Sequence, residues 1–317
     1  MKYSVINKTG LKAGKIVLGT DRMGTAVSLN DSFKLLDTFC EYGGNMLDTA
    51  SVYADWLSCE KSESEKTIGK WLKERKNREN VIIATKGGHH DLKTGEKRID
   101  IENVRHDFEN SLKNLNTDYI DIYYLHKDDV EKSPKEMIEI LNEATDERAR
   151  FFGVSNWSYA RIKEANDWAE KKGLRPIVAS QIQYSIAKTV SSPNDIYAMT
   201  EKEYENYCQD DLSLFAFSSQ ARGFFAFLEK GGEEALNPAL KRDFLCDENI
   251  FLFEKLQKLA KEKGTDASIL SIAALICDRK LNTFAQIGTK NLSRLISTLA
   301  AAEISLSQEE IDFLLVK

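Results

Sequence analysis

Eight short apolar runs, separated by segments of helical period, restrict what this chain can fold into more than any other feature. They are KIVLG (15–19), NMLDTA (45–50), VIIATK (81–86), IDIYYLH (120–126), FFGVSN (151–156), IVASQIQY (177–184), LSLFAFSS (212–219) and TFAQIG (283–288). Their apolar character is nearly continuous, as in strands buried on both faces. Three of the intervening segments carry helix signals. In the first, Asp31 reads as the cap, Phe33, Leu36, Phe39 and Cys40 share a face, and Gly43-Gly44 ends the run. The second opens on Ser62 and Glu65 as a capping box, ahead of Ile68, Trp71 and Leu72. The third places Val104, Phe108, Leu112 and Leu115 at the same spacing. Eight strand-then-helix units in 317 residues favour a single-domain closed (β/α)8 TIM barrel over a doubly wound sheet. No GxGxxG follows any strand, and GLKAGK at 10–15 misses the phosphate-loop pattern. One long stretch, about 220–247 after the seventh strand, reads as an irregular insertion that shapes a pocket.

The formal net charge is -6, so there is no electrostatic footprint for nucleic acid or an anionic membrane. The five cysteines are odd in number and lack any CxxC, which suits free thiols in a reducing compartment and points to no metal. The N-terminus has no apolar leader, and no window approaches the roughly 18 apolar residues of a spanning helix. The expected location is the cytoplasm.

In such a barrel the chemistry sits where the strands end. The second run ends on Asp48 with Tyr53 just beyond, the third on Lys86, and the fourth on His126. Singly, Asp48 could close a polar turn and His126 could be a structural histidine. Together they suit proton delivery to an oxygen that is gaining charge. A phenol has an unperturbed pKa of about 10, and lowering it by three units takes roughly 4 kcal/mol of preference for the phenolate. A lysine ammonium supplies stabilisation of that sign, an aspartate keeps the lysine charged, and a histidine can orient a carbonyl.

GGNMLDTASVY (43–53), ATKGG (84–88), YIDIYYLH (119–126) and FFGVSN (151–156), in this order, resemble the aldo-keto reductase superfamily over essentially the whole chain. The SSQARGFF stretch at 218–225 is similar to a bacterial branch of it. The resemblance implies reduction of an aldehyde or ketone with a nicotinamide cofactor lying across the C-terminal face of the barrel. It assigns Tyr53 as general acid, Lys86 and Asp48 as the groups that tune it, and His126 as the residue orienting the carbonyl. It also implies that Ser155, Asn156 and Gln181 bind the carboxamide, with Phe217 stacking on the nicotinamide where tyrosine is usual. Ser218 and Arg222 would sit in the pyrophosphate loop.

Thr289, Lys290 and Arg294 open a helix, where the positive dipole end and two cations suit a phosphate. That favours NADPH, with NADH possible because Gly288, Ser297 and Thr298 depart from the usual phosphate and adenine residues. The small-molecule carbonyl substrate is expected to meet Arg22, Trp56, His89 and Trp157, a mixture suited to a hydroxylated or sugar-like compound. The chain closes on EEIDFLLVK, an amphipathic helix with little after it, which implies an open pocket. Adjacent His89 and His90 lack a third metal ligand. Two other readings stay open: a cofactor-holding redox sensor or scaffold with little turnover, and an aldolase forming a Schiff base on Lys86.

Overall fold

Each of the eight apolar runs forms a strand in the computed structural model, which describes residues 1–57, 59–193 and 196–315. A two-stranded antiparallel hairpin comes first, β1 (Tyr3–Val5) with β2 (Lys12–Gly14). The barrel follows as β3 (Ile16–Gly19), β4 (Met46–Asp48), β5 (Ile82–Gly87), β6 (Ile120–Leu125), β7 (Ala149–Ser155), β8 (Ile177–Gln183), β9 (Ser213–Phe217) and β10 (Thr283–Ile287). Neighbours pair in parallel, and β10 pairs with β3 to close the ring. Parallel pairing requires crossovers, and these are the helices of the outer layer. They are α1 (Leu29–Glu41), α2 (Glu63–Arg75), α3 (Ile101–Leu115), α4 (Pro134–Ala144), α5 (Tyr159–Lys172) and α6 (Glu201–Tyr207), one after each of the first six barrel strands.

Two expected helix starts fall elsewhere. Ser28 caps α1, its hydroxyl accepting from the Asp31 N–H, so Asp31 lies in the first turn. Ser62 adopts φ 58° and makes no cap bond; its hydroxyl donates instead to the Ser51 carbonyl at 2.7 Å. Glu65 is buried, accepting from Thr85 Oγ1 at 2.6 Å and Asn114 Nδ2 at 3.0 Å, so it ties α2 to β5 and α3 instead of completing a capping box.

The stretch expected to be irregular after β9 is largely helical. It folds as α7 (Phe224–Gly231) and α8 (Pro238–Phe244), with Asn237 capping α8. Apolar spacing explains this, since Phe224, Phe225 and Leu228 are buried from one helix and Leu240 and Phe244 from the other. Then come α9 (Asp247–Lys263), α10 (Ala267–Cys277), and, beyond β10, α11 (Leu292–Leu299) and α12 (Gln308–Leu315); residues 316 and 317 of the closing motif lie outside the described residues.

Two cores result. The larger lies between strands and helices, and the smaller fills the barrel with Val17, Met46, Ala84, Ile122, Tyr124, Ala179, Phe215 and Phe284. Ile6 and Ala13 of the hairpin segment join the inner core, closing the end where the strands begin. Gly153 leaves room for Tyr124, because a Cβ there would stand 2.3 Å from the tyrosine ring. None of the described helices is long and apolar enough to cross a membrane.

Candidate active site

Side chains alternate along a strand, so a residue two places beyond an inward-facing one also faces inward. Starting from Val17, Met46, Ala84, Tyr124, Ala179, Phe215 and Phe284 in the inner core, that step reaches Gly19, Asp48, Lys86, His126, Gln181, Phe217 and Gln286. Gly153 leads in the same way to Ser155. A polar layer therefore tops the apolar fill, at the C-terminal ends of the strands.

Lys86 has no exposed surface. Its ammonium donates to Asp48 Oδ2 at 2.7 Å, the Thr49 carbonyl at 2.7 Å and Tyr53 Oη at 2.9 Å. With all three hydrogens committed, the amine is shut off from a carbonyl carbon, which counts against a Schiff base. Asp48 also accepts from Gln181 Nε2 at 2.7 Å and from Gln286 Nε2, while the Tyr53 hydroxyl reaches it only at 3.4 Å. Tyr53 lies in a turn pinned to the neighbouring strand: the Ser51 N–H donates to the Lys86 carbonyl at 3.0 Å, and Asp55 Oδ1 accepts from the Ser62 N–H at 2.7 Å. The turn sets the phenol over the lysine.

Burial, and then the Asp48 and Asp21 carboxylates, push the Tyr53 phenol well above its ordinary pKa of 10.0. The expectation of a lowered value fails because desolvation of the phenolate outweighs the ammonium beside it. The phenol is thus protonated at neutral pH, the state a proton donor needs. Burial lowers the Lys86 ammonium, opposed by Asp48. Burial, then Lys86 and His89, take His126 well below 6.5 and hold the imidazole neutral. Its ring stands edge-on to Tyr53 at 5.7 Å between centroids, and its Nδ1 is buried without a partner.

These groups open onto a cleft of about 890 Å³, within the range of roughly 300–1,000 Å³ usual for ligand sites. Its lining takes in Tyr53, His126, Arg22, Trp56, Ser155, Asn156, Gln181, Phe217, Ser218 and Arg222, and at the far end Thr289, Lys290 and Arg294. Two expected substrate contacts lie elsewhere. Trp157 is fully buried, its indole N–H donating to the Lys127 carbonyl at 3.2 Å; Asn156, at φ 63°, turns the chain so that the next side chain enters the outer core. His89 sits behind His126 at 4.7 Å between ring centroids and is 9% exposed.

Several other residues are engaged differently from their expected roles. Arg222 is ion-paired to Asp243 of α8 at 2.7 Å. Gln181 holds Asp48, as above. The helix behind Lys290 starts at Leu292 with Asn291 as its cap, and that cap takes the Arg294 N–H at 3.1 Å. Sequence reading missed Gln286, although the layer rule finds it, and Asp21, which lies close enough to act on Tyr53 and Lys86. It also missed Ile196, which lines the cleft from a loop with no periodic signal, whereas Phe227 lines it from α7, inside the stretch expected to shape the pocket. Among the described residues no group of three or more His, Cys, Asp or Glu side chains is placed to hold a metal, and the five cysteines are free thiols.

Residues 15–314 match the description "Aldo/keto reductase family". The chain belongs to this family. Among its relatives, norsolorinic acid reductase of Aspergillus flavus is 27% identical, covering 96% of this chain and 78% of that one. The uncharacterized oxidoreductase YrpG of Bacillus subtilis is also 27% identical, over 98% and 93% of the two chains. A putative aryl-alcohol dehydrogenase of Saccharomyces cerevisiae, AAD14, shares 27% identity over 99% and 85%. Among solved structures, a thermostable aldo-keto reductase, Tm1743, crystallised with the inhibitor epalrestat, superposes with a TM-score of 0.74 at 25% identity and 99% coverage of both chains. This aldo/keto reductase is accordingly an oxidoreductase, and the family uses a nicotinamide cofactor. The site's own residues fit such a group. Phe217, Ser155, Asn156 and Tyr53 line one cleft, and exposed Lys290 and Arg294 lie just before and within the first turn of α11.

Proposed function

We propose that this aldo/keto reductase uses NADPH to reduce an aldehyde or ketone to the alcohol, with Tyr53 as the proton donor. The observation that carries this reading is the buried sequence of contacts from Asp48 through Lys86 to Tyr53, ending at the cleft wall beside neutral His126. A bound nicotinamide supplies the hydride for the carbonyl carbon. Tyr53 gives its proton to the carbonyl oxygen as negative charge develops there. The Lys86 ammonium, 2.9 Å from the phenol oxygen, stabilises the phenolate left behind, and Asp48 keeps that ammonium charged. His126 donates one ring N–H to the carbonyl oxygen and fixes its position.

Ser155 and Asn156 are suited to the carboxamide, Phe217 to the ring face, and Lys290 with Arg294 to the 2'-phosphate. Arg222 would meet a pyrophosphate only in competition with Asp243. On the substrate side Trp56 presents a half-exposed indole, 52% accessible, edge-on to Tyr53, and Arg22 offers a polar donor. Hydroxylated or sugar-like aldehydes suit this pair, and the names of the relatives add aromatic carbonyl compounds to the trial panel.

A positioned acid of this kind is worth about 10² to 10⁴ in rate. Tyr53→Phe should therefore lose that factor in carbonyl-dependent NADPH oxidation while its NADPH affinity, read by fluorescence titration, stays within a few-fold of wild type. Near-native turnover in Tyr53→Phe would overturn the role given to the phenol.

A further inference from the structure

Asp48 receives donors from three strands besides its own. Lys86 of β5 supplies the ammonium, and Gln181 of β8 holds Oδ1 at 2.7 Å. The third is Gln286 of β10, whose Nε2 donates to Oδ2, the same oxygen that Lys86 and, at 3.4 Å, the Tyr53 hydroxyl approach. A carboxylate can only accept, so the amide must turn its NH2 group to Asp48. That leaves Gln286 Oε1 buried with no partner. An unpaired buried carbonyl is unfavourable, and a side chain present for packing alone would be apolar, like Phe284 below it on the same face. Space for the amide comes from Gly19, where a Cβ would stand 3.2 Å from Gln286 Nε2. Two positions in two strands are therefore shaped around one hydrogen bond to Asp48.

We infer that Gln286 is a positioning residue for the proton donor: it occupies Asp48 Oδ2, so that the carboxylate holds Lys86 without drawing the Tyr53 hydroxyl away from the cleft. A neutral donor suits this task, because it disperses the charge of Asp48 without weakening the Lys86 pair. With Gln286 removed, the lone pair it covered faces Tyr53, the phenolate meets a less dispersed negative charge, and the phenol becomes a weaker acid. The other titratable groups acting on this cluster are Asp21 beyond β3, buried Glu65 of α2, His126 at the end of β6 and buried Tyr124 of β6. All of them remain in the variants below. The inference rests on the proposed role of Tyr53, so the wild-type enzyme and Tyr53→Phe are measured beside them.

The test compares Gln286→Met, similar in shape but without a donor, with Gln286→Glu, using kcat for carbonyl reduction across pH. For Gln286→Met, kcat should fall by about 10- to 100-fold, no more than the lower end of the roughly 10² to 10⁴ that a positioned acid supplies in full. The alkaline limb of its profile should move up by about one pH unit, the equivalent of a tenfold change in proton affinity. NADPH affinity and thermal midpoint should stay near wild type. Gln286→Glu should recover as pH falls, because a protonated carboxyl can donate to Asp48 as the amide does. A role in packing or cofactor contact would move the thermal midpoint or KM and leave the limb in place, and that outcome overturns the inference. If the wild type and Tyr53→Phe turn over alike, the failure lies with the proton-donor reading and not with Gln286.

Discussion

Tyr53 and His126 show how far burial can override the charges beside a group. An ammonium at 2.9 Å would by itself favour the phenolate, yet the phenol is pushed up. A neutral histidine in the same layer follows from the same cause, with Lys86 adding to it. His126 should therefore fail to titrate between about pH 8 and 5.5, where an unperturbed imidazole changes charge. Histidine resonances in a nuclear magnetic resonance titration, assigned by loss of one signal in His126→Gln, check this directly. The sign for stability follows. The folded value lies below the unfolded one near 6.5, so the unfolded chain takes up the proton first. The His126 contribution to stability is present above that pH and is lost as pH falls through it. Wild type should therefore lose stability over that range more steeply than His126→Gln, as urea melts at several pH values would reveal.

Helix ends were less legible than helix faces. The faces of α1, α2 and α3 follow from period 3.6, whereas the caps depended on neighbours: Ser62 bonds the Tyr53 turn and Glu65 bonds β5 and α3. The first turn of α11 carries the cofactor prediction at this scale. Asn291 consumes the Arg294 N–H, so under the proposed NADPH reading any discrimination by phosphate would rest on the exposed side chains of Lys290 and Arg294 more than on the helix backbone. Replacing both with alanine should weaken NADPH by roughly tenfold for each lost contact of about 1.5 kcal/mol, and NADH by far less. The difference should shrink at high salt, because exposed charges are screened. Fluorescence titrations with each cofactor, at two ionic strengths, give the answer; equal losses for both cofactors would place the phosphate elsewhere.

Across the whole molecule, chemistry and closure occupy opposite ends of the barrel. The hairpin segment brings Ile6, with no exposed surface, against the inner core where the strands begin. Ile6→Ala should cost about 2–5 kcal/mol in urea unfolding, the usual range for truncating a buried isoleucine. Turnover should be unchanged, because the reacting groups lie beyond the apolar fill. What the sequence determined by itself was the repeating unit: eight strands alternating with helices in a closed barrel, with Asp48, Lys86 and His126 standing where apolar strands end. Those features are local, since strand alternation and helix period act over a few residues. Only the tertiary structure decided that Trp157 turns into the outer core, that Arg222 pairs with Asp243, that Gln286 reaches Asp48, and that Tyr53 is a raised and not a lowered phenol. Each of these depends on which groups meet across the barrel and how much water is removed from between them, and neither quantity is carried by the spacing of residues along one strand.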